Sequence, residues 1–171
     1  MRYCSVVLAL HVHTRCVLSE PLSAIAERPV WLKMECDQPP GSFKIRGVGL
    51  HCQRLVEAGA THLVSSSGGN AGLAAAWAGA RLGVPTTVVV PETTPDWIRA
   101  RIRTYGAEVV VHGAVWDEAH GHAQTLAEVV VNPFDHQDLW DGHQTLIEEA
   151  ALQCERPGAV VCAVGGGGLL C

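Results

Sequence analysis

Residues 61–90 read THLVSSSGGNAGLAAAWAGARLGVPTTVVV. Thr61 to Ser65 is a short apolar strand, and Ser66-Ser67-Gly68-Gly69 is a loop. Asn70 to Leu82 is an alanine-rich helix stopped by Gly83, and Thr86 to Val90 is a nearly continuous apolar strand. A strand without polar alternation is the pattern of a parallel sheet covered on both faces. Two such strands joined through a helix by short loops predict a right-handed crossover unit.

The same alternation continues outward. Downstream, Pro95 to Tyr105 is a helix with proline in its first turn and Gly106 after its end. Glu108 to Val111 is a strand, Val115 to Glu128 a helix and Val129 to Val131 a short strand. Gly142 to Cys154 is a final helix, and Gly158 to Val164 a last apolar strand running into Gly165-Gly166-Gly167-Gly168. Upstream, Pro29 to Cys36 reads as a strand, and Val48 to Ala58 is an amphipathic helix closed by Gly59. The expected fold is α/β, with open parallel sheets and helices on both faces. Residues 47–134 form one expected domain, with Asn132-Pro133-Phe134-Asp135 as the linker candidate. Residues 1–46 and 135–171 belong to a second.

Composition narrows the function. The chain has 171 residues, 48% hydrophobic and 17% charged, enough for an ordinary core. A net charge of −5 argues against nucleic acid, which needs a basic face. No run reaches the roughly 18 apolar residues of a membrane span. Seven cysteines without a C-x-x-C pair fit reduced thiols and a cytoplasmic location. The run Val6 to Leu10 after Arg2, with Ala24-Ile25-Ala26 beyond it, suggests a leader. The run is short and is broken by His11, His13 and Arg15, so secretion is not the expectation. His120 and His122 point to different sides of a helix and read as a solvated face, so no metal site is expected.

Three loops carry the chemistry, and loops after the strands of such sheets converge on one cleft. In Gly41-Ser42-Phe43-Lys44-Ile45-Arg46-Gly47 a lysine follows an apolar approach bounded by proline and glycine. Burial lowers a lysine pKa and frees the amine to attack carbonyls. The competing reading is a lysine at a helix start with its head in water. In Ser65 to Asn70, hydroxyls and free N–H groups at a helix N-terminus make a site for a carboxylate; the plain alternative is a helix cap. The tetraglycine forms a nest for a phosphate, or else an unstructured terminus. A carbonyl, a phosphate and a carboxylate together describe pyridoxal phosphate with an amino acid.

The stretches PPGSFKIRG, SSSGGNAGLAAAWA, LGVPTTVVVPETTP, GAEVVVHG, NPFDHQDLWDGH and GAVVCAVGGGGLL carry a resemblance. In this order they resemble the fold type II (tryptophan synthase β-like) pyridoxal-phosphate enzymes, most closely the L-serine/L-threonine dehydratases. The resemblance implies that Lys44 forms the Schiff base with pyridoxal 5'-phosphate and takes the α-proton, and that Phe43 packs on the cofactor ring. It implies that Asn70 contacts the ring oxygen and that Ser67, Gly68 and Asn70 receive the substrate. Gly165, Gly166, Gly167, Gly168 and Leu169 would hold the phosphate. The implied reaction converts L-serine to pyruvate, or L-threonine to 2-oxobutanoate, with release of ammonia, in a cytoplasmic homodimer. Family members are nearly twice this length, so the expectation is a truncated, N-terminal half that binds cofactor poorly. The alternatives are a non-catalytic fragment or interaction module, or a racemase or β-replacement enzyme. His13-Thr14-Arg15-Cys16 stands where the family has a Thr-Pro-Leu stretch.

Overall fold

The computed structural model describes residues 8–127 and 129–171. In chain order it contains β1 (Cys16–Leu18), α1 (Glu20–Ala26), β2 (Trp31–Lys33), α2 (Lys44–Glu57), β3 (Leu63–Ser65) and α3 (Asn70–Leu82). There follow β4 (Thr86–Val90), α4 (Asp96–Thr104), β5 (Glu108–Val111), α5 (Trp116–Leu126), β6 (Val130–Val131) and α6 (Gln137–Gln153).

Four strands form an all-parallel sheet in the order β5-β4-β3-β6. Neighbouring residues along β4 separate its two faces, as the two-residue strand period requires. Val88 and Val90 pack with Leu73 and Ala76 of α3 and with Ile98 and Ile102 of α4. Val89 points the other way, with Val64, onto Ala119 and Ala123 of α5. A third cluster joins α2, α3 and α6 through Ile45, Val48, Ala74, Ala78 and Leu139. The alanines of α3 let it sit directly on the sheet, where a Cβ at Gly79 would collide with Thr86 Oγ1.

Helix α3 and strands β4 and β5 have the bounds their patterns predict. Helix α2 begins four residues early, at Lys44, because Phe43 is already in the right-handed helical conformation. Helix α6 begins at Gln137, capped by the His136 ring, which accepts a hydrogen bond from the Asp138 N–H. The expected strand 29–36 shrinks to β2, paired antiparallel with β1. The suggested cleavage site Ala24-Ile25-Ala26 lies inside α1; Val6 and Val7 of the apolar run before it lie outside the described residues.

One expected strand is absent. Residues 158–164 have no strand conformation and no sheet partner among the described residues, and Val161 is 98% exposed. An apolar run becomes a strand only where a neighbour offers its backbone groups, and none is alongside.

Candidate cofactor and substrate site

Ser65 lies level with Val131 on one side and Val88 on the other, so the loops leaving β3, β6 and β4 emerge side by side at the carboxyl edge. Lys44 reaches this edge from the first turn of α2. Its half-buried Nζ donates a hydrogen bond of 2.7 Å to the Pro133 carbonyl, just beyond β6. Burial pushes the Lys44 amine below the usual lysine range. Lys33, the chain's other lysine, is instead ion-paired to Glu149 Oε2 at 2.7 Å.

Phe43 lies beside Lys44, with the ring centroid 5.3 Å from Nζ. Its ring also meets the edge of His143 at 5.0 Å. His143 is 3% exposed, and neither ring nitrogen has a partner among the described residues. Burial, with the charges of Lys44 and Arg46, pushes this imidazole down to about 4, so it is neutral near pH 7.

The tetraglycine meets the residue after Pro133, Phe134. A side chain at Gly166 would run into the Phe134 ring, and one at Gly168 into the Phe134 carbonyl. Gly167 has φ +85°, and its carbonyl accepts from Leu170 N at 2.8 Å and Cys171 N at 3.3 Å. The N–H groups ahead of that turn therefore sit where a helix start leaves donors without a carbonyl. Gly168 is buried, Gly167 and Leu169 are partly buried, and Gly165 is exposed with nothing near it. The segment 132–135 thus lies between the lysine and the glycines. An Asx turn braces it, Asn132 Oδ1 accepting from Phe134 N at 3.0 Å and Asp135 N at 2.7 Å.

The third loop is held residue by residue. Ser66 Oγ is 2.9 Å from His120 Nδ1. Ser67 Oγ accepts from Gly69 N at 3.3 Å, and a Cβ at Gly68 would strike Thr94 Oγ1. Asn70 is exposed at the first position of α3.

The family described as "Pyridoxal-phosphate dependent enzyme" matches residues 7–171. The chain belongs to that family. It is 52% identical to "Serine dehydratase-like" of Homo sapiens over 165 residues, covering 94% of this chain and 50% of the relative. It is 42% identical to "L-serine dehydratase" of Dictyostelium discoideum over 180 residues, covering 94% of this chain and 51% of the relative. Among solved structures, a fungal L-serine ammonia-lyase from Rhizomucor miehei superimposes with TM-score 0.88 at 38% identity, over 95% of this chain and 54% of that one. Maize serine racemase gives 0.88 at 25%, over 94% of this chain and 50% of that one. The fold is that of the fold type II enzymes. The chain spans about half the length of the curated relatives it matches.

Pyridoxal 5'-phosphate, the cofactor of this family, fits the residues present. The site offers a half-buried amine of lowered pKa, an aromatic ring beside it, and a glycine turn packed on Phe134, next to the carbonyl that holds that amine.

Two further groups escaped sequence reasoning. Arg46, fully buried, binds Glu35 through Nε and Nη2 and Glu149 through Nη1 and Nη2 at 2.7–2.8 Å. No local pattern signals this, since the carboxylates come from distant segments. His51, His136 and Asp138 bring three possible metal-ligand atoms within 4.8 Å. Each is already engaged: His51 Nδ1 bonds Asp138 Oδ2 at 2.8 Å, His136 caps α6, and the Arg54 guanidinium sits on Asp138 Oδ1. The cluster is a capped ion pair. His120 and His122 do diverge, but neither merely faces solvent. His120 reaches Ser66, whereas His122 stacks on His112 at 4.2 Å.

Proposed function

We propose that this chain carries the lysine, phosphate and carboxylate loops of an L-serine/L-threonine dehydratase, which releases pyruvate or 2-oxobutanoate and ammonia. The observation that carries the reading is the Lys44 amine of lowered pKa, held by Pro133, the neighbour of the Phe134 on which the tetraglycine packs. Relatives named as serine dehydratases stand at 38–52% identity, whereas the serine racemases stand at 25–31%, which favours dehydration.

In this reading Lys44 Nζ is the point of attachment for the cofactor, and Phe43 packs against its ring. The N–H groups of Gly165 to Gly168 and of Leu169 hold the phosphate, and Asn70 hydrogen-bonds the ring oxygen. Ser67, Gly68 and Asn70 receive the substrate carboxylate, aided by the positive end of α3. Bound pyridoxal phosphate supplies an electron sink for the pair left at the substrate's α-carbon. Lys44, released from Pro133, takes the α-proton; its lowered pKa keeps a larger fraction of the amine free to act as a base.

The proposal extends to a cytoplasmic homodimer, in which 47–134 is the smaller domain and 1–46 with 135–171 belongs to the cofactor domain. The six described cysteines are all unbridged, which supports a reducing compartment. No described helix is long and apolar enough to cross a membrane. The test is pyruvate release from L-serine by this chain fused to the remaining half of a serine dehydratase relative. Turnover is expected, with loss of at least a thousandfold in Lys44→Ala. An inactive fusion that binds cofactor normally would overturn the dehydratase reading.

A further inference from the structure

Ser66 is 1% exposed, and its hydroxyl reaches out of the β3–α3 loop to a side chain on the other face of the sheet. That side chain, His120 of α5, is fixed on both sides. Trp116 stacks on it at 4.7 Å with an interplanar angle of 12°. The Gln124 amide nitrogen lies 3.3 Å from Nε2. An amide N–H donating to Nε2 leaves Nδ1–H to donate to the Ser66 hydroxyl oxygen. Trp116, His120 and Gln124 are spaced four apart, one ridge of α5 aimed at the loop.

We propose that His120 is a positioning residue that holds the Ser66–Asn70 loop in the shape that receives the substrate carboxylate. The loop has three anchors. Gly69 is tied within the loop through Ser67 Oγ, and Gly68 is pressed against Thr94 after β4. The hydrogen bond between Ser66 and His120 is the tie to α5. Two glycines at the centre of the loop give it no stiffness of its own, so the anchors set where its N–H groups point. Removing the imidazole would leave a buried hydroxyl without this partner, an arrangement the loop escapes by moving. The carboxylate assignment rests on the function proposed above; the positioning role does not.

Backbone relaxation of the full chain, ¹⁵N-labelled, tests this. Wild type should show order parameters for Ser67 to Gly69 in the rigid range, about 0.85, and His120→Phe should drop them below about 0.6. Phenylalanine keeps the stack on Trp116 and removes the ring nitrogens that bond Ser66 and Gln124. Residues 74–78 inside α3 should not change, and His120→Asn, which restores a hydrogen-bonding group, should recover most of the loss. A loop equally rigid in His120→Phe, or one that loosens together with all of α3, overturns the proposal. If His120→Phe does not fold, Ser66→Ala removes the other end of the bond, and an unchanged loop there is equally fatal. An L-serine titration then separates the two readings. Shifts at the Gly68 and Gly69 amides should need at least threefold more L-serine in His120→Phe than in wild type. If wild type shows no shift while the variant still loosens only this loop, His120 keeps its role and the carboxylate assignment falls. Equal titration midpoints in both proteins overturn the claim that His120 shapes the loop for the carboxylate.

Discussion

A methyl group at position 72 would meet the Ser67 carbonyl oxygen and press on Val88, because α3 starts directly beneath the loop it supports. Backbone cannot yield as a flexible side chain can, so Gly72→Ala should cost about 1–3 kcal/mol in urea unfolding. Gly121 in α5 has nothing within 4 Å of a built Cβ. There the substitution to alanine should gain roughly 0.5–1 kcal/mol, because only the backbone entropy of glycine is removed. Opposite signs at two helical glycines are the expected outcome, and matching signs would contradict the packing described. His143 adds a pH dependence. Its pKa falls from 6.5 to about 4 on folding, so the unfolded chain takes up the proton first as pH drops. The contribution is complete above pH 6.5 and is lost as pH falls through about 4, a swing on the order of 3 kcal/mol. Melting temperature should therefore decline across that window, and His143→Gln should flatten the decline.

Elements divide according to what holds their ends. The bounds of α3, β4 and β5 were legible because local chemistry sets them: Gly83 takes a left-handed φ of 68° after α3, and Pro95 and Gly106 bracket α4 between the two strands. Helix α2 was read from Val48, where its apolar periodicity begins, and the structure starts it at Lys44. Two of its glycines are contact points, Gly47 lying against Leu139 and His143 of α6 and Gly49 against Leu10. The same logic hid the strongest polar contact. Arg46 finds Glu35 eleven residues away and Glu149 a further 103 residues along the chain from itself, a pairing that only tertiary structure creates. Burial raises the Glu149 carboxyl, but hydrogen bonds from Arg46 and Lys33 outweigh it and hold the pKa at about 2. Its share of the stability is thus present above the ordinary carboxylate range and is lost as pH falls through about 2. Glu149→Gln leaves the buried Arg46 with Glu35 as its one carboxylate and takes the ion-pair partner from Lys33, and should cost about 2–3 kcal/mol at pH 7 by urea unfolding. A loss under 1 kcal/mol would mean the network is idle.

At the scale of the molecule, three candidate loops stand out in the sequence, whereas the segment that two of them touch does not. Lys44, the Ser67–Asn70 loop and the tetraglycine were all singled out, while Asn132 to Asp135 was read as a linker. In the structure that segment touches both the lysine and the glycines, through Pro133 and Phe134. A proline and a phenylalanine carry no chemical signature, so nothing in the sequence marks such a role. Residues 158–164 failed as a strand for a different reason: their pattern is sound, but no strand lies beside them. Val160, Val161 and Val164 are exposed together with Leu170, a patch that invites self-association. Light scattering should show mass rising with concentration, and Val161→Asp should suppress the rise while leaving the melting temperature within about 1 °C. An unchanged mass profile would remove this patch as the cause.

The central claim is that Lys44 is the cofactor lysine. The chain offers a built-in control, since Lys33 is the only other lysine and is tied to Glu149, Gln153 and the Thr14 carbonyl. Incubation with pyridoxal 5'-phosphate, borohydride reduction and peptide mass mapping should place the reduced pyridoxyl group on the peptide containing Lys44, and Lys44→Ala should abolish the label. A label on Lys33, or equal labelling of both lysines, would contradict the account.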